Sequence, residues 1–170
     1  MTGWPQHVDI REVGPRDGLQ NEAPVPVDAR VRLIDALSRT GLRRIEAAAF
    51  VSPAAIPAMA GSDDVMARID RAAGVTYSAL VPNAKGAAHA IAADADELEI
   101  VVSASETHNR HNVRRSVAES VIGARDVIAL AHGTAIETEA IVSTAFGCPY
   151  EGDVPPERVA QLAGHLIDAG

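Results

Sequence analysis

Residues 12–22 read EVGPRDGLQNE and place Arg16 and Asp17 side by side between two glycines. The stretch begins inside HVDIREVG, residues 7–14, whose composition predicts a short strand. It is followed by VDARVRLIDALSRTG, residues 27–41, in which apolar side chains recur at helical spacing before a glycine stop. A charged loop therefore joins the first predicted strand to the first predicted helix.

The same order of strand, polar loop and helix recurs four more times. The predicted strands are RRIEAAAFV (43–51), VTYSALVP (75–82), ELEIVVSAS (97–105) and AIETEAIVSTAF (135–146). The predicted helices that follow them lie near residues 63–73 and at 84–95, 113–133 and 155–170, and residues 103–115 are expected to form a polar loop. Five β-α units predict an α/β fold, either an open doubly wound sheet or a (β/α)8 barrel.

The loop after the first strand favours the barrel. It contains no glycine-rich phosphate-binding pattern of the G-x-G-x-x-G or Walker type, which weakens a nucleotide-binding interpretation. A charged Arg16-Asp17 pair at the end of a strand suits the mouth of a barrel, where such proteins keep their chemistry.

Composition narrows the classes of partner. The chain has 170 residues, 47% of them hydrophobic, which fits one domain. A formal net charge of -8 argues against a nucleic-acid partner. Cys148 is the single cysteine, so no internal disulfide is expected. The sequence has neither a secretion signal nor a long apolar span, so we expect a cytoplasmic protein without a membrane partner.

Several loops resemble, in order along the chain, those of hydroxymethylglutaryl-CoA lyases. They are GPRDGLQNE (14–22), IEAAAFVSP (45–53), VPNAKG (81–86), SASETHNRHNVRRS (103–116) and STAFGCPYEG (143–152). Related condensing enzymes carry a threonine-leucine pair where this chain has Gly14-Pro15. The resemblance covers almost the whole chain and implies a TIM barrel, of which residues 1–170 would form a partial lyase domain with strands and helices 1–5.

The resemblance also implies an activity and three residues that perform it. The family cleaves 3-hydroxy-3-methylglutaryl-CoA to acetyl-CoA and acetoacetate with a divalent cation, in leucine degradation and ketone-body formation. By this resemblance Asp17 is a ligand of Mg2+ or Mn2+, which prefer oxygen donors. Arg16 binds the substrate and stabilises the enolate formed by cleavage. Glu46 orients Arg16 or moves a proton, unless it forms a buried ion pair without catalytic use.

Other polar residues of these loops are candidates for binding the acyl-CoA. They are Gln20, Asn83, Lys85, His108 and Arg110, together with Arg114 and Arg115. Cationic and donor groups at a barrel mouth suit the phosphates and pantetheine of CoA, although surface polarity is the plainer explanation for any single residue.

Three positions need separate treatment. His108 and His111 have a spacing that could chelate a metal, but the family takes its histidine ligands from an H-x-H on a later strand. Cys148 is expected to be structural, because the reactive cysteine of the family lies in a different Gly-Gly-Cys-Pro loop. Ile141 stands where the lyases carry tyrosine, which leaves open a related 3-hydroxy-acyl-CoA as substrate.

The sequence ends in LIDAG, residues 166–170, before the family's sixth strand. By the resemblance, strands 6–8, the H-x-H motif, an asparagine ligand and the reactive cysteine loop have no counterparts here. Strands near Ile10 and Ile141 would then be open edges, which we expect to be apolar on both faces. We therefore expect either a homo-oligomer or a chain that needs a C-terminal portion. We expect the isolated 170-residue chain to be inactive. The alternative function is that of a non-catalytic half-barrel remnant that associates with its own kind or with a complementary fragment.

Overall fold

The computed structural model describes residues 3–170, which form one parallel β-sheet covered by helices. Its strands are Arg11–Glu12 (β1), Arg44–Ala49 (β2), Thr76–Leu80 (β3), Glu97–Ser103 (β4) and Glu137–Ser143 (β5). They lie in the order β1-β2-β3-β4-β5, and every neighbouring pair is parallel. The predicted α/β class and the five successive β-α units are confirmed.

The helices depart from the prediction in three places. They are Val27–Ser38 (α1), Ser62–Arg68 (α2), Ala84–Ala92 (α3), Glu106–Val113 (α4), Val117–Ala131 (α5) and Pro156–Ile167 (α6). Helix α4 lies where a loop was predicted, α2 ends five residues early, and a π-helical turn, Gly14–Gly18, follows β1. Among residues 3–170, no helix is both long and apolar enough to cross a membrane.

The sheet is curved as in part of a barrel. The Arg11 guanidinium on β1 donates to the Glu139 carboxylate on β5 at 2.9 and 2.7 Å. At about 4.8 Å per strand, a flat sheet would put β1 and β5 about 19 Å apart, beyond the combined reach of two side chains. The first and fifth strands must therefore bend toward each other, which confirms the expected partial barrel.

The outer, convex face of the sheet carries the hydrophobic core. Leu98 and Ile100 of β4 lie in one buried cluster with Val121 and Val127 of α5. Alanines fill much of the rest of this layer, because few aromatic residues are available to pack helices against the sheet. The core thus lies between sheet and helices, as expected for parallel strands.

The expectation that the edge strands are apolar on both faces is wrong, because β1 consists of Arg11 and Glu12 and β5 carries Glu137 and Glu139. The inner face of the neighbouring strands is charged as well. Glu46, Glu97 and Glu99 are 1%, 2% and 0% exposed, although all three are carboxyl side chains. Side chains alternate across a strand, so Glu97 and Glu99 face inward where Leu98 faces the helices. The edge near Ile10 is also corrected, because β1 contains only Arg11 and Glu12 and leaves Ile10 64% exposed.

Candidate active site

The turn after β1 aims Arg16 into the barrel. The backbone N–H groups of Arg16, Asp17 and Gly18 all converge on the carbonyl oxygen of Val13, at 3.1, 2.7 and 3.3 Å. The Glu12 carboxylate accepts from the N–H of Gly14, and a Cβ at Gly14 would lie 2.7 Å from that carboxylate. A side chain at position 14 would therefore displace the Glu12 carboxylate from this hydrogen bond.

Arg16 lies between a buried and an exposed carboxyl group. Its Nε donates to Glu46 Oε1 at 2.5 Å, and its Nη1 donates to Asp17 Oδ1 at 2.8 Å. The Glu46 side chain is 1% exposed, whereas that of Asp17 is 57% exposed. Glu46 thus anchors the guanidinium from below, and Asp17 remains open to a ligand on the solvent side.

The environment of Glu46 favours its protonated form. Burial, together with the nearby Glu99 carboxyl, raises the pKa of Glu46 to about 8 against the opposing effect of Arg16. The short contact with Arg16 alone would predict a lowered pKa. Burial outweighs it here, because the carboxyl has almost no contact with water and faces a second acid.

A cavity of about 690 Å3 opens above this group, at the carboxyl ends of the strands. Seven of the residues that the sequence singled out line it: Arg16, Asp17, Gln20, Asn83, His108, Arg115 and Ile141. A cavity of this size is in the usual range for small-molecule sites. The fold therefore brings together residues that are up to 125 positions apart in the chain.

Two predicted substrate-binding residues lie elsewhere. Lys85 lines a neighbouring cavity of about 340 Å3, which also borders Asn83. Asn83 itself accepts a hydrogen bond from the N–H of Gly86 and so begins α3. Arg110 is 62% exposed on α4 and pairs with Glu106 at 2.7 Å. Asn83 thus lines both cavities, whereas Lys85 lines only the neighbouring one. Arg110 lines neither of the two.

Two serines that sequence reasoning missed hold His108. Ser103 Oγ lies 2.7 Å from His108 Nδ1 and 2.8 Å from Ser143 Oγ. Ser103 ends β4 and Ser143 ends β5, so the three side chains link two strand ends to α4. Since Nδ1 is engaged, Nε2 is the ring atom of His108 left for a ligand. The signal was present, because both serines directly follow apolar strand residues in the chain.

His111 and Cys148 lie to the side of the cavity. The His111 ring stacks on Tyr150 with centroids 4.5 Å apart and an interplanar angle of 10°. Cys148 is 7% exposed, and its Sγ lies 3.0 Å from Ser105 Oγ. These contacts are of a structural kind, and the assignment of Cys148 as structural stays a prediction.

The described residues supply only some of the ligands that a metal ion needs. Asp17 offers a carboxylate at the cavity, the kind of oxygen ligand that Mg2+ or Mn2+ takes. Within residues 3–170 no three His, Cys, Asp or Glu side chains are grouped so as to hold a metal ion, and this includes His108 and His111. The site fits a hard divalent cation in the chemistry of Asp17 but supplies too few ligands to enclose one.

Comparison with known proteins identifies the same family that the loop sequences resemble. Residues 7–170 match the family model described as HMGL-like. The chain is 46% identical to the hydroxymethylglutaryl-CoA lyase YngG of Bacillus subtilis over 98% of its length, and 46% identical to the mitochondrial enzyme of Rattus norvegicus over 100%. Those alignments cover 56% and 53% of the two relatives, so the chain spans about half their length.

Solved structures agree in fold. The HMG-CoA lyase of Bacillus subtilis superimposes with a TM-score of 0.95 at 46% identity, covering 98% of this chain and 56% of that one. An HMG-CoA lyase from Acinetobacter baumannii, solved with coenzyme A and 3-methylmalate, gives 0.94 at 40% identity. It covers 100% of this chain and 56% of its own.

Proposed function

Because the chain belongs to the HMGL-like family of divalent-metal-dependent lyases, we propose that it forms the part of a hydroxymethylglutaryl-CoA lyase that contains the substrate-binding arginine. The observation that carries this proposal is Arg16, fixed between Glu46 and Asp17 at the mouth of the curved sheet. The reaction proposed is cleavage of 3-hydroxy-3-methylglutaryl-CoA to acetyl-CoA and acetoacetate.

The role of Arg16 follows from where charge appears in that reaction. When the C2–C3 bond breaks, the C3 hydroxyl loses its proton and the bonding electrons pass to the thioester fragment as an enolate. A guanidinium aimed at the thioester oxygen stabilises charge that is absent from the bound substrate. The enolate then takes a proton at C2 to give acetyl-CoA, which balances the proton lost from the C3 hydroxyl, so the cleavage has no net proton change.

Glu46 serves this step by orienting Arg16. Its Oε1 is already engaged by Arg16 Nε, and the side chain is buried below the cavity rather than lining it. Of the two roles expected from the sequence, orientation therefore has more support than direct proton transfer to the substrate. With Nε anchored, the outer nitrogen atoms of Arg16 are left to face Asp17 and the cavity.

We propose Asp17 as a ligand of Mg2+ or Mn2+. A bound divalent cation would supply positive charge to the oxygen atoms of the substrate. Asp17 has the exposure and the oxygen chemistry for this role, and its carboxylate also accepts from Arg16. The other ligands are proposed to come from outside residues 3–170, either from a further segment or from a partner copy.

The acyl-CoA is proposed to lie across the cavity toward α3 and α4. Gln20, Asn83 and His108 border the main cavity, and Lys85 borders the adjoining one, so donors and a positive charge are available to CoA. Because Arg110 is exposed and does not line the cavity, it could contact only a part of CoA that lies far from the thioester. That the Acinetobacter baumannii lyase was solved with coenzyme A supports this ligand class.

A second candidate differs only in the acyl group. Ile141 lines the cavity, and its side chain is smaller than the tyrosine that the lyases carry there, which leaves apolar space for a substituent larger than methyl. To test both, the complete protein is assayed with Mg2+ or Mn2+ against a series of 3-hydroxy-acyl-CoA thioesters. Acetoacetate release from the first substrate supports the main proposal, preference for a bulkier thioester supports the second, and no cleavage of any thioester contradicts both.

A further inference from the structure

The inner face of the sheet holds one more acid than base. The charged side chains there, which we call the inner charged cluster, are Arg11, Arg16, Arg44, Glu46, Glu97, Glu99 and Glu139. Three guanidinium groups thus face four carboxyl groups. Asp17, which pairs with Arg16, and Glu137 of β5 are exposed to water and are left out of this balance. If all seven were ionised, one negative charge would be left without a partner in a place with little access to water, which is costly.

Two of the four carboxylates are well provided with donors. Glu97 accepts from Arg44 at 2.5 and 2.7 Å and from Arg11 at 2.9 Å. Glu139 accepts from the same two arginines, at 2.7 to 2.9 Å, and the hydrogen bond from Arg11 lowers the pKa of Glu139 to about 2. Both carboxylates are therefore suited to carry a full negative charge.

The unsatisfied atoms lie in the other two. Glu46 Oε2, Glu99 Oε1 and Glu99 Oε2 are buried and have no hydrogen-bond donor among residues 3–170. Arg11 Nη1 is 3.0 Å from Glu99 Oε1, but it is not oriented to form a hydrogen bond with that atom. Arg11 is therefore close enough to Glu99 for an ion pair, but the oxygen atoms of Glu99 still lack a hydrogen-bond donor.

These two carboxyls face each other across β3. Glu46 pairs in register with Ser78, and Ser78 pairs with Glu97, two residues before Glu99 on the same face of β4. The small serine between them leaves room for two longer side chains, and the buried oxygens of Glu46 and Glu99 that lack a partner are carried by the two strands that flank it. We propose that Glu46 and Glu99 share one proton, and that Glu99 thereby positions the carboxyl that anchors Arg16.

A single proton resolves both problems at once. It provides the missing donor between Glu46 and Glu99, and it balances the charge of the inner charged cluster. The pKa of Glu46, raised to about 8 by burial and by Glu99, supports this position for the proton. Burial also raises the pKa of Glu97, but a proton there would displace one of the three hydrogen bonds that it accepts from Arg11 and Arg44.

The consequence for the site rests on the proposed function. Glu99 is absent from the lining of the main cavity, so it acts through Glu46 as a positioning residue. Because one oxygen of Glu46 is tied to Glu99, the other is directed at Arg16 Nε. When Glu46 shares the proton, Arg16 contacts only one full negative charge, that of Asp17, instead of two. Its positive charge is then less neutralised and can act on the substrate.

The test is pH-difference infrared spectroscopy, which separates protonated from ionised carboxyls and needs no turnover. Spectra of the complete protein are compared between pH 6 and pH 9.5. We expect one buried carboxyl to lose its proton near pH 8 in the parent, and this signal to disappear in both Glu46→Gln and Glu99→Gln. The matched control is Glu137→Gln, an exposed glutamate of β5, which should keep the signal.

Three outcomes would overturn the proposal. The first is a spectrum of the parent protein in which no carboxyl titrates above pH 6. This result needs no variant, so it counts even if the variants fail to fold. Persistence of the signal in Glu99→Gln would remove Glu99 from the pair. Loss in Glu97→Gln with retention in Glu99→Gln would place the proton on Glu97 instead. Failure of thioester cleavage would leave this measurement untouched and so distinguishes the proposed function from the proton pair.

Discussion

Arg16 Nε and Glu46 Oε1 are 2.5 Å apart and join the turn after β1 to the buried middle of β2. The contact restricts the guanidinium to one plane, because Nε lies at the inner end of the group and its hydrogen can point in only one direction. The outer nitrogen atoms of Arg16 are therefore presented to the cavity in a fixed orientation, which a lysine cannot reproduce.

Arg16→Lys should keep the charge and lose most turnover. A single ammonium cannot donate both to Glu46 and toward an enolate oxygen, so we expect a loss of about 3 to 4 kcal/mol of transition-state stabilisation. The measurement is kcat and KM of the complete enzyme, with Arg39→Lys, an exposed arginine that pairs with Asp70, as the control. Turnover near that of the parent would remove Arg16 from the chemistry.

Asp17→Asn should weaken the binding of Mg2+ or Mn2+ because an amide oxygen carries no full negative charge. Isothermal titration calorimetry on the complete protein measures the affinity directly. Asp28→Asn is the matched control, since Asp28 is an exposed carboxylate in the first turn of α1 that pairs with Arg68 and does not line the cavity. If the two variants bind metal equally well, Asp17 is not a ligand.

Cys148→Ser should leave turnover nearly unchanged. The serine hydroxyl can keep the contact with Ser105, so the loss of stability should be about 1 kcal/mol. Kinetic assay together with urea unfolding separates the two effects. A fall in kcat of several orders of magnitude in a folded variant would mean that Cys148 takes part in the reaction.

The raised pKa of Glu46 predicts a pH dependence of stability. The folded state holds this proton up to about pH 8, whereas a glutamate in the unfolded chain loses it near the ordinary pKa of 4.5. Folding therefore gains most from Glu46 below pH 4.5, and this contribution is lost as the pH rises to 8, by at most about 1.4 kcal/mol per pH unit. Glu139, with a pKa of about 2, stabilises the folded state fully above pH 4.5 and loses this contribution as the pH falls toward 2, so it adds no slope within this window.

Urea unfolding at several pH values between 5 and 8.5 measures this slope. In Glu46→Gln the contribution should vanish, because the amide does not titrate. Glu137→Gln, on the exposed end of β5, should keep it. A slope that is the same in all three proteins would show that Glu46 is ionised throughout this range.

The 170-residue chain expressed alone should self-associate. Strands β1 and β5 each lack a strand neighbour on one side among residues 3–170, and unpaired edges seek partners. Because the inner face is charged, we expect defined oligomers rather than amorphous aggregates. Size-exclusion chromatography with light scattering tests this expectation, and a stable monomer at high concentration would contradict it.

The sequence predicted those features that depend on neighbouring residues. The alternation of strands and helices and the charged turn at Arg16 and Asp17 could be read from periodicity and position. Helix α4 could not, because residues 106–113 are mostly polar and lack an apolar stripe. Its cap was nevertheless visible, since Ser105 accepts from the N–H of His108 three residues later.

The inner charged cluster shows why the rest of the site needed a structure. The letters ELEI already alternate acid and apolar residues, but alternation does not tell which face is covered by helices. The pairing of Glu46 with Glu99 depends on the registers of β2, β3 and β4 together. Local sequence contains no such information, because these residues are 53 positions apart.

The contact from Arg11 to Glu139 has a consequence for the way in which the domain opens. Strand β1 pairs with β2 through only two residues, so its backbone hydrogen bonds alone would let it fray. Arg11 ties it to a strand 128 positions later in the chain, so separating β1 also breaks charged contacts to β5. The first and fifth strands thus belong to one cooperative unit, and their amides should exchange with solvent together although no backbone pairing joins them.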